Sequence, residues 1–194
     1  MNKRLWLVIV PVGIALNVVG GLLNTALKLP LFLDTIGTML VAVTCGPWLG
    51  ALAGGLSNVI ASISSPMDWW FAIVNIVIGL IVGYVALWRG YRDWISPLIA
   101  GLLTALAASI IGPWIAVYIY GGLTGSVLDV AVAGLLKSGQ DLFSSVFISR
   151  VLPNFADKLL SAFLVFFVVL ALPKSFRGIA DKAAATAPPV DKTA

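Results

Sequence analysis

Six apolar runs fill most of this sequence, at about residues 4–26, 30–45, 48–64, 69–88, 94–120 and 155–172, and they decide what the chain can fold into. About 20 apolar residues make a helix that crosses a ~30 Å hydrocarbon core, and the second and third runs stand at the short limit. Of the 194 residues, 60% are hydrophobic and 10% charged, where a soluble domain carries about 25% charged residues. A soluble fold of this size has too little interior for that much apolar side chain. The expected fold class is an all-α integral membrane protein: six transmembrane helices, with an additional polar helix or lid between spans five and six.

The same composition removes several chemistries. The chain has no His, and all eight of its acids are Asp. Zinc sites of the usual kind, His-based triads and Glu/His di-iron sites are therefore excluded, and no metal or cofactor is expected. The single cysteine, Cys45, forms neither an internal disulfide nor a CxxC motif and reads as a small buried filler. No GxxxxGK[ST] stretch is present, so the chain does not hydrolyse ATP through a P-loop. No motif places an activated nucleophile or an acid/base pair, so an enzyme is not expected.

The basic residues set the topology. With six spans and the N-terminus inside, Lys3, Arg4, Arg89, Arg92, Lys174, Arg177, Lys182 and Lys192 fall on the cytoplasmic side. Lys28, Lys137, Arg150 and Lys158 fall outside, and the imbalance follows the positive-inside rule. Residues 126–150 hold Asp129, Lys137, Gln140 and Asp141 and offer no uncharged run long enough to cross. Asp129, Ala133, Lys137, Asp141 and Ser145 step along one helical face, which suits a helix on or dipping into the protein. The N-terminal run lacks a cleavage-type site and is read as a retained span. The expected domains are a six-helix membrane domain, 1–174, and a disordered cytoplasmic tail, 175–194.

Small residues recur at four-residue spacing: Gly50/Gly54, Ala51/Gly55, Gly79/Gly83, Ala108/Gly112, and Gly13, Asn17 and Gly21 on one face of span one. Such stripes let helices approach closely, within the bundle or against another membrane protein. Trp6, Trp48, Trp69, Trp70, Trp88, Trp94 and Trp114 sit mostly near span ends, as an interfacial belt does.

Polar groups within membrane spans are costly and usually functional. Asp34, Thr35, Asn58, Asp68, Asn75 and the Lys137/Gln140/Asp141 group all fall on the outer half, followed by Arg150, Asn154, Asp157 and Lys158. This asymmetry predicts an outward-opening pocket built from the loops after spans one, three and five. For some of these residues a structural role competes: Asp34 and Asp157 as caps of spans two and six, Lys137 and Asp141 as a neutralising pair.

These residues also carry a resemblance. The run LPLFLDTIGTML at 29–40, continued by GPWLGALAGGLSN at 46–58, resembles spans two and three of the substrate-binding S-components of energy-coupling factor (ECF) transporters. NIVIGLIVG at 75–83 and ADKLLS at 156–161 are similar to that family as well, and the resemblance runs over most of residues 10–175. It implies a six-helix vitamin-capture subunit of an ABC-type importer, with both termini in the cytoplasm of a bacterial or archaeal cell. Its implied partners are a small-molecule substrate, a transmembrane coupling subunit and two cytosolic ATPases, with no nucleic acid. Many members carry an Ala-xxx-Ala pair on span one that docks the coupling subunit. Here Ala15 is followed by Val19, and Gly13, Asn17 and Gly21 occupy a neighbouring face, so Gly13, Ala15, Asn17 and Gly21 are the candidate docking residues.

The expected substrate-binding residues are Asp34, Asn58, Asp68, Trp69, Asn75, Lys137, Gln140 and Asp141. Their mixed charge suits a zwitterionic or acidic ligand. Two other readings stay open: a solitary transporter working without ATPases, and a membrane ligand sensor or scaffold.

Overall fold

A computed structural model describes residues 6–66 and 69–181 of the chain. Among the described residues the fold is all-helical: α1 (Trp6–Leu27), α2 (Ile36–Cys45), α3 (Pro47–Ala61), α4 (Ala72–Arg89), α5 (Ile95–Tyr120), α6 (Asp129–Lys137) and α7 (Leu142–Ala171). Two 3₁₀ turns follow, Lys174–Phe176 and Gly178–Asp181. By length and hydropathy α1, α4, α5 and α7 are able to cross a membrane, while α2 and α3, with 10 and 15 residues, are shorter. Large apolar side chains on the long helices face outward, among them Leu22, Ile110, Leu152 and Phe167, as a lipid-bathed surface requires.

The short α2 is the centre of the bundle. It packs on α1, α3, α4 and α7, and eight of its ten residues, Gly37 to Thr44, are buried. A helix of this length spans about 15 Å, half the hydrocarbon thickness. The chain before it, at 30–35, is non-helical, where the sequence predicted helix. One residue, Gly46, joins α2 to α3 at φ 109°, a conformation that favours glycine, and Pro47 then starts α3.

Most of the glycines in the small-residue stripes lie at seams within the bundle. A Cβ on Gly37 would stand 1.8 Å from Gly13 O, so α1 and α2 touch backbone to backbone. On the α3–α4 seam, a Cβ on Gly79 or Gly83 would meet the backbone of Gly50 or Pro47 within 2.5 Å. Such contact replaces the hydrophobic driving force that lipid does not supply. Lining the opposite side, α5 packs along α7, and the Tyr91 hydroxyl, fully buried, donates to Ala162 O at 3.3 Å.

Two expectations differ from the structure. The stretch 126–150 is not one helix: α6 ends at Lys137, Gly139 adopts φ 90°, and Asp141 caps the start of α7 by accepting from Ser144 N at 3.0 Å. The last expected span thus begins 13 residues earlier than 155, at Leu142. Residues 175–181 also differ from the expected disorder: Ile179 and Ala180 are buried, Tyr91 N donates to Ala180 O, and Arg92 pairs with Asp181 at 3.5 Å. Burial of an isoleucine and a backbone hydrogen bond tie this segment to the helices.

Candidate functional site

Backbone N–H groups of the non-helical chain before α2 and of the first turn of α2 are satisfied by side chains from two distant helices. Asn17 Oδ1, on α1, accepts from Gly37 N at 2.7 Å and Thr38 N at 3.2 Å. These are the orphan donors of the first turn of α2, whose own N-cap, Thr35, makes no side-chain bond. Asn17 Nδ2 donates in turn to Thr38 Oγ1 at 2.7 Å and Ser57 Oγ at 2.9 Å, so one amide, 2% exposed, ties α1, α2 and α3 together. Asp157 Oδ1, on α7, accepts from Phe32 N at 3.2 Å and Leu33 N at 2.8 Å. Leu33 has φ 55°, a left-handed conformation uncommon outside glycine, and Asp157 helps hold it there.

Around this loop a charged cluster forms. Lys158 Nζ, nearly fully buried, donates to Asp157 Oδ2 at 2.6 Å, Thr35 Oγ1 at 3.2 Å and Asp34 Oδ1 at 3.3 Å, and sits 5.5 Å from the Phe32 ring centroid. Asp157 is 0% exposed, whereas the Asp34 side chain is 34% exposed. From α4, Asn75 Nδ2 donates to Asn58 Oδ1 of α3 and lies 3.4 Å from both Asp34 Oδ2 and Asp34 O. Asn75 is itself 1% exposed, and its Oδ1 has no hydrogen-bond partner. Above it, Phe71 at the start of α4 stacks on Tyr120 at the end of α5, with centroids 6.0 Å apart. The arrangement thus brings a partly open carboxylate next to a buried amide whose oxygen has no partner.

Of the residues expected at the site, Asp34, Asn58 and Asn75 come together. Lys158 and Asp157 complete the cluster; the sequence marked both as polar but read Asp157 as a helix cap. Asp157 lies in mid-α7 and caps the 32–33 backbone instead, while the cap of α2 is Asn17 and not Asp34. Adjacent Asp and Lys within an otherwise apolar span were the available signal for this pair. Among the described residues, no hydrogen bond or ion pair joins Lys137, Gln140 or Asp141 to the cluster, and all three are exposed. Lys137 and Asp141 form no ion pair, because the break at 138–140 takes them off a common face; hydrogen bonds from Ser144 hold the Asp141 carboxyl below the usual range. Trp69 packs edge-on against Trp70 and lines an open apolar groove between α3 and α4 with Leu52, Leu56 and Ile76. Asp68 lies outside the described residues.

A second buried cation closes the loop after α5. Arg150 Nη2 donates to Asp129 Oδ1 at 3.3 Å and Thr124 Oγ1 at 3.1 Å, and Asp129 Oδ2 accepts from Thr124 N and Gly125 N. This pins the 121–128 loop and α6 to α7.

The four candidate docking residues divide. Gly13 and Asn17 are buried against α2, so they serve the bundle's interior; Ala15 is exposed and Gly21 has open space beside it.

Comparison with known proteins agrees with this architecture. The family model described as "ECF transporter, substrate-specific component" matches residues 5–169. Searches of curated proteins and of solved structures gave no match.

Proposed function

From the premise that this chain belongs to the substrate-specific components of ECF transporters, we propose that it captures a vitamin or related micronutrient at the Asp34–Asn75–Lys158 cluster. Members of such a family bind a substrate and work with other ECF subunits; it is not an enzyme family. In this reading six spans cross a bacterial or archaeal cytoplasmic membrane, with α2 and α3 as the short pair and both termini in the cytoplasm. The cluster then opens outward, and the 121–141 segment forms its lid. A transmembrane coupling subunit and two cytosolic ATPases supply the energy for release inside. Exposed Ala15 and half-buried Gly21, with open space beside it, are the docking candidates that remain on α1.

The observation that carries this reading is the meeting of Asp34, Asn75 and Lys158 from three separate elements around a buried, unsatisfied amide oxygen. Buried polar groups without partners are costly, and a ligand that supplies the missing partner is a direct reason for retaining one. The test is to tag the C-terminus, extract the chain gently from its native membrane and identify what accompanies it by mass spectrometry. Recovery of one multi-span partner with ATPase subunits is expected. A clean single chain, repeated in nanodiscs and accompanied by uptake into vesicles holding this chain alone, overturns the ATPase-driven reading.

A further inference from the structure

Among the ammonium, amide and carboxylate groups of Lys158, Asn75, Asp157 and Asp34, the hydrogen-bonding capacity left over has one polarity. A lysine ammonium has three N–H donors, and Lys158 commits one each to Asp157, Thr35 and Asp34. Asn75 Nδ2 has two, directed to Asn58 Oδ1 and to Asp34. Asp157 accepts from Phe32 N, Leu33 N and Lys158 and is closed off from solvent. What remains is acceptor: the Asp34 carboxylate, one-third exposed, and the unpartnered Oδ1 of Asn75, on a side chain 1% exposed. Among the described residues, two carboxylates face one ammonium here, a formal charge of minus one.

We infer that the substrate presents a cationic, N–H-donating group to Asp34 and Asn75: an ammonium, an amidinium or a protonated amino-heterocycle. A carboxylate or phosphate placed here would meet like charge and find no donor from Lys158 or Asn75, so it is disfavoured. This differs from the zwitterionic or acidic ligand that the mixed charges of the sequence suggested. The difference arises because Lys158 is neutralised within the cluster and Lys137 stands apart from it. The inference rests on the proposed placement of the substrate site and adds its charge class.

The probes are two fractions of a yeast small-molecule extract, one retained at neutral pH by a cation exchanger and one by an anion exchanger. Each is titrated against the full chain in nanodiscs while its thermal unfolding is followed. The cationic fraction is expected to raise the midpoint, and Asp34→Asn to require at least tenfold more of it for half the shift. Asn75→Leu, which removes the acceptor together with the Nδ2 donor to Asn58 and Asp34 and keeps the bulk, is expected to act in the same direction. A shift produced by the anionic fraction and lost in Asp34→Asn overturns the charge class while keeping the site. A cationic shift that Asp34→Asn and Asn75→Leu leave unchanged overturns the site itself. No shift with either fraction overturns both.

Discussion

Asn17 Oδ1 stands 2.7 Å from Gly37 N, so a side chain of α1 caps α2 across a helix–helix seam. The usual N-cap comes from the residue just before the helix, and here Thr35 leaves that task undone. Asn17→Leu keeps the bulk and removes the acceptor, stranding two backbone donors in a buried seam. Its expected cost is about 2–6 kcal/mol, from roughly 1–3 kcal/mol for each of the two unsatisfied buried groups. Thermal unfolding in nanodiscs, followed by tryptophan fluorescence, checks this; an unchanged midpoint removes the cap from the account.

The glycines divide into those under backbone contact and those in open space. Gly83→Ala drives a methyl to 2.3 Å from Pro47 Cα, and Gly21→Ala meets nothing within 4 Å. The first is expected to cost about 1–3 kcal/mol by forcing α3 and α4 apart, the ordinary range for overpacking. The second is expected to leave the unfolding midpoint in place. Equal behaviour of the two variants contradicts the seam.

Lys158 and Asp34 separate stability from binding. Lys158→Met leaves the fully buried Asp157 without its counter-ion, and removing one member of a buried ion pair costs about 3–5 kcal/mol. Asp34→Asn acts on a partly exposed carboxylate and is expected to leave folding intact while changing what the chain binds. Adding Asp157→Asn to Lys158→Met is expected to recover part of the lost stability. Measured additivity between those two substitutions would show that the pair is not coupled.

Asp93, in the turn between α4 and α5, gives a pH signature. Partial burial pushes its carboxyl up, but hydrogen bonds from the Ser96 hydroxyl and backbone N–H, together with Arg89, outweigh this and hold it below the usual carboxylate range. A depressed folded-state value means that the group's stabilisation is full above its unfolded value and is lost as pH falls through the folded one. Ser96→Ala is therefore expected to raise the Asp93 titration midpoint toward the ordinary value, read by carboxyl ¹³C shifts, and to move acid unfolding to higher pH.

The legible parts of the fold were those that hydropathy writes locally. The runs at 4–26, 69–88 and 94–120 correspond to α1, α4 and α5 within a few residues. The Gly50/Gly54 and Gly79/Gly83 spacings marked a seam that forms. Asp34, Asn58 and Asn75 stood out as polar residues in apolar surroundings, and they converge. What stayed hidden was pairing over long separations. Nothing local in ADKLLS says that Asp157 will hold a loop 124 residues earlier or that Lys158 will be neutral in effect. The i, i+4 steps through 129–145 misled because periodicity says nothing of a break. The break itself was written in Gly139 and in Asp141 preceding Ser144, the signs of one helix ending and another being capped.

The order of synthesis follows from the reach of Asp157. The loop at 32–33 emerges early, yet its backbone donors find their acceptor on the last long helix. Lys158, which organises Asp34, arrives with the same turn. A nascent chain that ends after α5 thus carries a central helix whose entry is unfinished, and the Asp34–Asn75–Lys158 cluster forms only once α7 has been made. One turn of α7 completes both the entry to α2 and the cluster around Asp34.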